Sequence, residues 1–159
     1  MTDNPNRAYA GDCRRAAAIA VHHANRSVEG INALVAETKE RNRAVELPHA
    51  VHDVLDIAAK AILTPRGLLT LHASFRAVAD DEENPFRLAA QYIVGRIDHD
   101  DEQVIDVLNA VRDGQGTTLI LGMLNLYENA VPLMFTPFSI EAFQATVAQL
   151  FAAENGTDE

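Results

Sequence analysis

Histidines and carboxylates one helical turn apart are the first residues in this chain that could do chemistry. His49, His52, Asp53 and Asp56 recur at spacings of three and four, which would put their side chains on one face of a helix. His49, His52 and Asp53 could therefore supply part of a metal's coordination shell. A catalytic zinc takes three protein ligands and a structural one four, so a second helix would have to contribute, with His22 or His99 as donors. Periodicity gives a simpler account of the same residues. Val51, Val54, Leu55, Ala58 and Ile62 form an apolar stripe, and His49, His52, Asp53, Asp56 and Lys60 fall opposite it, as on a solvated helix face. Glu46-Leu-Pro-His49 has the letters of a di-iron ligand pair, but Pro48 sits inside it and there is no second copy. No metal or other cofactor is expected.

A second constellation lies near the C-terminal end. Thr118, Gly122, Asn125 and Asn129 are four, three and four residues apart and share one side of a helix, with Glu128 beside them. Such a stripe can face solvent, can seat a neighbouring helix closely at Gly122, or can floor a ligand pocket. His72, between Leu71 and Phe75, falls on an apolar face and reads as a hydrogen-bonded core histidine or a site residue. His72, Asn125, Glu128 and Asn129 are the candidate ligand-binding residues.

Nucleophilic chemistry has little support. Cys13 is the single cysteine, so no intramolecular disulfide can form and a reducing compartment is the default. Arg14 and Arg15 beside it could depress its pKa, although an incidental exposed thiol fits better. There is no Gly-x-Ser-x-Gly elbow, and Gly114-Gln-Gly116 lacks the lysine of a phosphate loop. No catalytic residue is assigned, and the balance leans away from an enzyme.

The net charge is −10. Residues 1–50 carry 7 Lys/Arg against 6 Asp/Glu, residues 51–96 carry 5 against 6, and residues 97–159 carry 1 against 11. An acidic C-terminal part repels nucleic acid and anionic lipid. The arginines of the N-terminal half keep a DNA-contacting regulator among the alternatives, but no segment combines a turn glycine with a basic recognition helix.

Helices must position all of these residues. Residues 1–11 read as a mobile tail. Asp12 reads as the N-cap of a long first helix over 13–43, whose apolar side includes Ile19, His23, Ile31, Leu34, Val35 and Thr38. A second helix spans about 48–63. Thr64-Pro65 and Asn84-Pro85 pair a capping side chain with a proline that needs no amide partner, starting helices over 65–79 and 85–97. Asp100 with Gln103 fits a capping box for a helix over 101–112, and Gly114 reads as its left-handed cap. Residues 117–131 carry Leu119, Ile120, Leu121, Met123, Leu124, Leu126 and Tyr127, apolar on most sides and so buried on most sides. A last helix covers about 140–153, and residues 154–159 are a polar tail. No alternating strand pattern occurs.

The expected fold is all-α: a single-domain irregular bundle, over residues 12–153, of six or seven helices around the apolar helix at 117–131. The expected function is a non-catalytic, cytoplasmic protein-interaction or regulatory module. Its expected partner is a second copy of itself or another protein, with no membrane, and nucleic acid only in the alternative of a DNA-contacting regulator. A continuous helix over 13–43 would be about 45 Å long at 1.5 Å per residue, longer than a domain of this size needs, and Ile31, Leu34 and Val35 would form a homodimer interface on it. The alternative function is a bundle that binds a small apolar ligand or a metal. By the same pattern Leu124→Asp buries an unpaired charge and costs several kcal/mol, roughly, whereas His52→Ala on a polar face is nearly silent. A large fall in melting temperature for Leu124→Asp is the expected outcome.

Overall fold

A computed structural model describes residues 4–111 and 115–156 of the chain. Its helices are α1 (Pro5–Ala24), α2 (Val28–Glu40), α3 (Glu46–Ile62), α4 (Pro65–Asp80), α5 (Arg87–Ile97), α6 (Asp101–Ala110), α7 (Gly116–Ala130) and α8 (Pro137–Asn155), with a 3-10 turn at Pro132–Phe135. No strand occurs among the described residues, so the all-α expectation holds. Gly114, read as a left-handed cap, lies outside the described residues. The chain divides into two compact units, Met1–Val54 with Phe135–Glu159, and Leu55–Met134.

In the first unit the predicted first helix is broken in two. Helix α1 begins at Pro5, where the Asn4 side chain accepts from the Asn6 amide at 3.0 Å. Asp12 is therefore an interior residue of α1 and not its cap, and residues 5–11 are helical. Helix α1 ends at Ala24 with Asn25 as its C-cap, Arg26 turns through a positive φ of 57°, and Ser27 caps α2 by accepting from the Gly30 amide at 3.2 Å. Asn, a left-handed residue and Ser form a stop and a start in three residues. The two helices then pack on each other. A Cβ on Gly30 would lie 2.2 Å from His22 Nδ1, so only glycine lets the first turn of α2 approach α1 this closely. The buried positions of α1 are mostly small, among them Ala10, Ala16, Ala17 and Ala20, and α1 packs most extensively against α8.

In the second unit Thr64-Pro65 starts α4 as predicted, whereas α5 begins two residues after Pro85, with Phe86 and not Asn84 at its N-cap position. Thr64 Oγ1 accepts from the Gly67 amide at 3.1 Å, and Asn84 Oδ1 accepts from the Phe86 amide at 2.9 Å, just ahead of α5. Asp100 caps α6 through the Gln103 amide at 3.1 Å, but the reciprocal half of the capping box is missing. The Gln103 side chain instead donates to the Gln91 carbonyl of α5 at 2.6 Å. Helix α7 is buried on most sides, with Met123 and Leu124 fully enclosed. Helix α5 shares the central position, since α4, α6 and α7 all pack on it and Ala89, Ala90, Tyr92, Ile93, Val94 and Gly95 are buried. Phe75 of α4 and Tyr127 of α7 meet with ring centroids 5.0 Å apart. Gly122 seats α7 on α5, because a Cβ there would stand 2.8 Å from the Cβ of Ala89.

Two substitutions test this backbone account. Gly122→Ala sets two helix-borne methyl groups in overlap and is expected to cost about 1–3 kcal/mol. His99, exposed at a φ of 54°, is expected to gain about 1 kcal/mol on replacement by glycine. Urea unfolding should move the two midpoints in opposite directions.

Candidate functional site

The stripe on α7 leads to a pocket of about 300 Å³ within the second unit. Its floor is Thr118, Gly122 and Asn125, and Phe86, Leu88 and Ala89 form the facing wall. Gly122 thus serves both the close helix contact and the pocket floor. Asn125 donates its amide back to the Leu121 carbonyl at 2.9 Å, so that group is engaged within its own helix. The other three candidate ligand residues are not part of the lining. Asn129 is exposed and Glu128 half-buried. His72 is half-buried on α4. Burial pushes its pKa below the usual histidine value; Asp56 opposes this, while Arg76 and Lys60 add to it. A neutral imidazole at pH 7 follows.

The histidine face of α3 is not the solvated surface its pattern predicts. His49 is half-buried, His52 is 5% exposed, and Asp53 is half-buried. The Tyr9 hydroxyl donates to Asp53 Oδ2 at 2.8 Å. His52 Nδ1 stands 3.5 Å from Asp53 Oδ1, and neither of its ring nitrogens has a hydrogen-bond partner. Among the described residues no three of His, Cys, Asp and Glu converge in a way that could hold a metal. Cys13 is buried, which corrects the exposed-thiol expectation. Burial pushes its pKa up, and nearby Asp53 and Asp12 push it further, against the opposing effect of the neighbouring Tyr9 hydroxyl. The neighbouring arginines do not activate it, because their charges are directed at carboxylates. Tyr9 is also shifted upward, first by burial and then by Cys13 and Asp53.

Those carboxylates form the densest polar cluster of the first unit. Asp12, with no exposed surface, accepts from Arg15 Nη2 at 2.8 Å and from Arg43 Nε at 3.1 Å. Arg14 donates from Nη2 to Glu37 of α2 at 2.9 Å and from Nε to Glu154 of α8 at 2.7 Å. Arg41 lies 3.4 Å from Glu37 and 3.5 Å from Glu154. Burial would lower the Arg14 pKa, but Glu154 and Glu37 outweigh it and the net shift is upward. Glu37 is held below its usual value, Arg14 and Arg15 overcoming the opposing effect of burial. Four arginines of the N-terminal half are thus paired inside the unit.

Helix α8 presents the remaining feature. Its 19 residues include two charged ones, Glu141 and Glu154, and are otherwise apolar or uncharged. Phe143 is its one buried residue. Ile140, Val147, Leu150 and Glu154 are half-buried on the same side, while Phe138 is 82% exposed. A helix this poor in charge is normally enclosed. The helical spacing of Phe143, Val147, Leu150 and Phe151 predicts one buried face, but Phe151 is 57% exposed and lies beneath the Arg14 guanidinium, 5.9 Å from its ring centroid. The predicted interface residues lie elsewhere: Ile31 and Val35 are buried within the chain and Leu34 is half-buried.

Compared with protein-family models, curated proteins and solved structures, the chain finds no match. No described helix is long and apolar enough to cross a membrane.

The two kinds of buried polar group should respond oppositely to replacement. Asp12→Ala takes from buried Arg15 its 2.8 Å partner and leaves it only the longer contacts to Glu37 and Glu154, and is expected to cost about 3 kcal/mol. His52→Leu removes buried nitrogens that lack hydrogen bonds and is expected to be neutral or stabilising. His52→Ala, by contrast, empties volume at a buried position and is not silent, which reverses the expectation drawn from the sequence. Equilibrium denaturation of the three variants checks all of this.

Proposed function

We propose that this protein is a non-catalytic interaction module whose binding surface is the outer face of α8. The observation that carries this reading is an almost uncharged 19-residue helix with its apolar outer side uncovered and Phe138 82% exposed. Exposed apolar surface of this kind marks contacts with other proteins. The inner side of α8 is fixed by Phe143 and by Glu154 on Arg14, so the face is preformed and little ordering cost accompanies binding. The raised Cys13 pKa, and an Asp53 already engaged by Tyr9, leave no activated nucleophile in the polar cluster of this unit. The pairing of Arg14, Arg15, Arg41 and Arg43 with carboxylates speaks against DNA contact through them. The α5–α7 pocket supports a second reading, a small apolar ligand seated above Thr118 and Asn125.

A photo-crosslinking residue placed at position 145 on the outer face tests the first reading. Irradiated cells should yield a discrete protein adduct of defined mass, and none from the same residue at exposed position 83. Phe138→Ser should abolish the adduct while changing stability by no more than about 0.5 kcal/mol. An adduct absent at 145, or indifferent to Phe138, would overturn the reading.

A further inference from the structure

The outer side of α8 has a symmetry that selects its partner. Phe138, Ala142, Ala145, Gln149 and Ala152 are all exposed. They recur four, three, four and three residues apart, the spacing of a seam between two helices. Glu141 and Ala148 flank the seam and are also exposed, and reversing the helix about Ala145 maps these seven positions onto one another. Phe138 then falls opposite Ala152 of the second copy, Ala142 opposite Ala148, Glu141 opposite Gln149, and Ala145 opposite its own counterpart.

We propose that α8 pairs antiparallel with α8 of a second copy of this chain, about a twofold axis at Ala145. This rests on the reading of α8 as an interaction face and names its partner. Three features support the second copy as occupant. Each end of the seam sets a large side chain against a small one, Phe138 on Ala152, while the alanines between let the axes approach to about 8 Å, the close end of helix packing. The charge pattern agrees. At a net charge of −10 two copies repel one another overall, but this face carries Glu141 as its single charge. In the antiparallel register the Glu141 carboxylate meets an amide and accepts from Gln149, whereas a parallel, in-register pair would bring the two Glu141 carboxylates together. The twofold operation also satisfies Gln149 of each copy at once, as an isologous interface requires. One helix pair buries less than the roughly 800 Å² per partner of a standard stable interface, so the dimer is reversible, with a dissociation constant in the micromolar range.

Sedimentation velocity of the purified full chain, from about 1 to 200 μM, tests the proposal together with three variants. A reversible monomer–dimer equilibrium is expected. Ala145→Glu sets two carboxylates face to face on the axis and should weaken it at least tenfold. Circular dichroism should show that variant folded, since the position is exposed. Direction is read by oxidation in a Cys13→Ser background. Ala145→Cys should form a dimeric disulfide. Ala152→Cys should not, because seven residues from the axis its two copies lie about 21 Å apart at 1.5 Å per residue, beyond disulfide reach. A monomer at every concentration, a dimer indifferent to Ala145→Glu, or efficient bridging by Ala152→Cys overturns self-pairing. A monomer that still gives a photo-adduct with another protein at position 145 overturns self-pairing alone and leaves the interaction reading standing.

Discussion

The first unit depends on how Asp12 is neutralised. Its carboxylate has no exposed surface, in the middle of a helix whose other buried residues are mostly small. A lone charge there would be several kcal/mol unfavourable, roughly. Arg15, one turn on, and Arg43, from the loop after α2, make it tolerable. Those partners fix α1 against the segment that leads into α3. Arg14 and Arg41, through Glu37 and Glu154, extend the same network to α2 and α8. A buried ion network is weak evidence for stability, because well-packed apolar residues of similar volume would often do as well. What it supplies here is register, since one carboxylate with two arginines allows few alternative ways to dock small-residue helices.

The polar cluster also governs what is left for function. It holds four arginines on carboxylates, buries Cys13 beside Asp12 and Asp53, and raises that thiol's pKa. Chemistry-bearing residues are therefore consumed by structure. Helix α8 is the exception, because the network and Phe143 hold only its inner side. The outer side remains an apolar, nearly uncharged surface on a strongly acidic chain.

Much of the helix inventory was legible because helix starts are local. Thr64-Pro65 announces itself within two residues, and Asn4-Pro5 is the same device at the start of α1, inside a stretch whose polarity reads as a tail; Asn84-Pro85 lies two residues ahead of its helix. The α1–α2 break was equally local, written in Asn25-Arg26-Ser27, but apolar periodicity on both sides masked it. Long-range pairing was not legible. Asp12 has a capping residue's identity, and nothing near it discloses that Arg43 meets it from 31 positions away. His52 lies in a flawless polar stripe, and a stripe says nothing of what packs over it. The pocket was half visible: spacing put Thr118, Gly122 and Asn125 together, but the facing wall from α5 and the absence of His72 are tertiary facts. For α8 the usual rule misled, since apolarity predicts burial and cannot distinguish a core helix from one waiting for a partner.

The proposed function requires that α8 be already folded on α1 and offer its outer face to a partner. Hydrogen–deuterium exchange of α8 tests it most directly, comparing dilute protein with protein at high concentration. The account predicts that α8 amides are protected even when dilute, and that protection between Phe138 and Ala152 rises on concentration while α1 is unchanged. Free exchange along α8 in the dilute protein, or protection there that is indifferent to concentration and to every added protein, would contradict it.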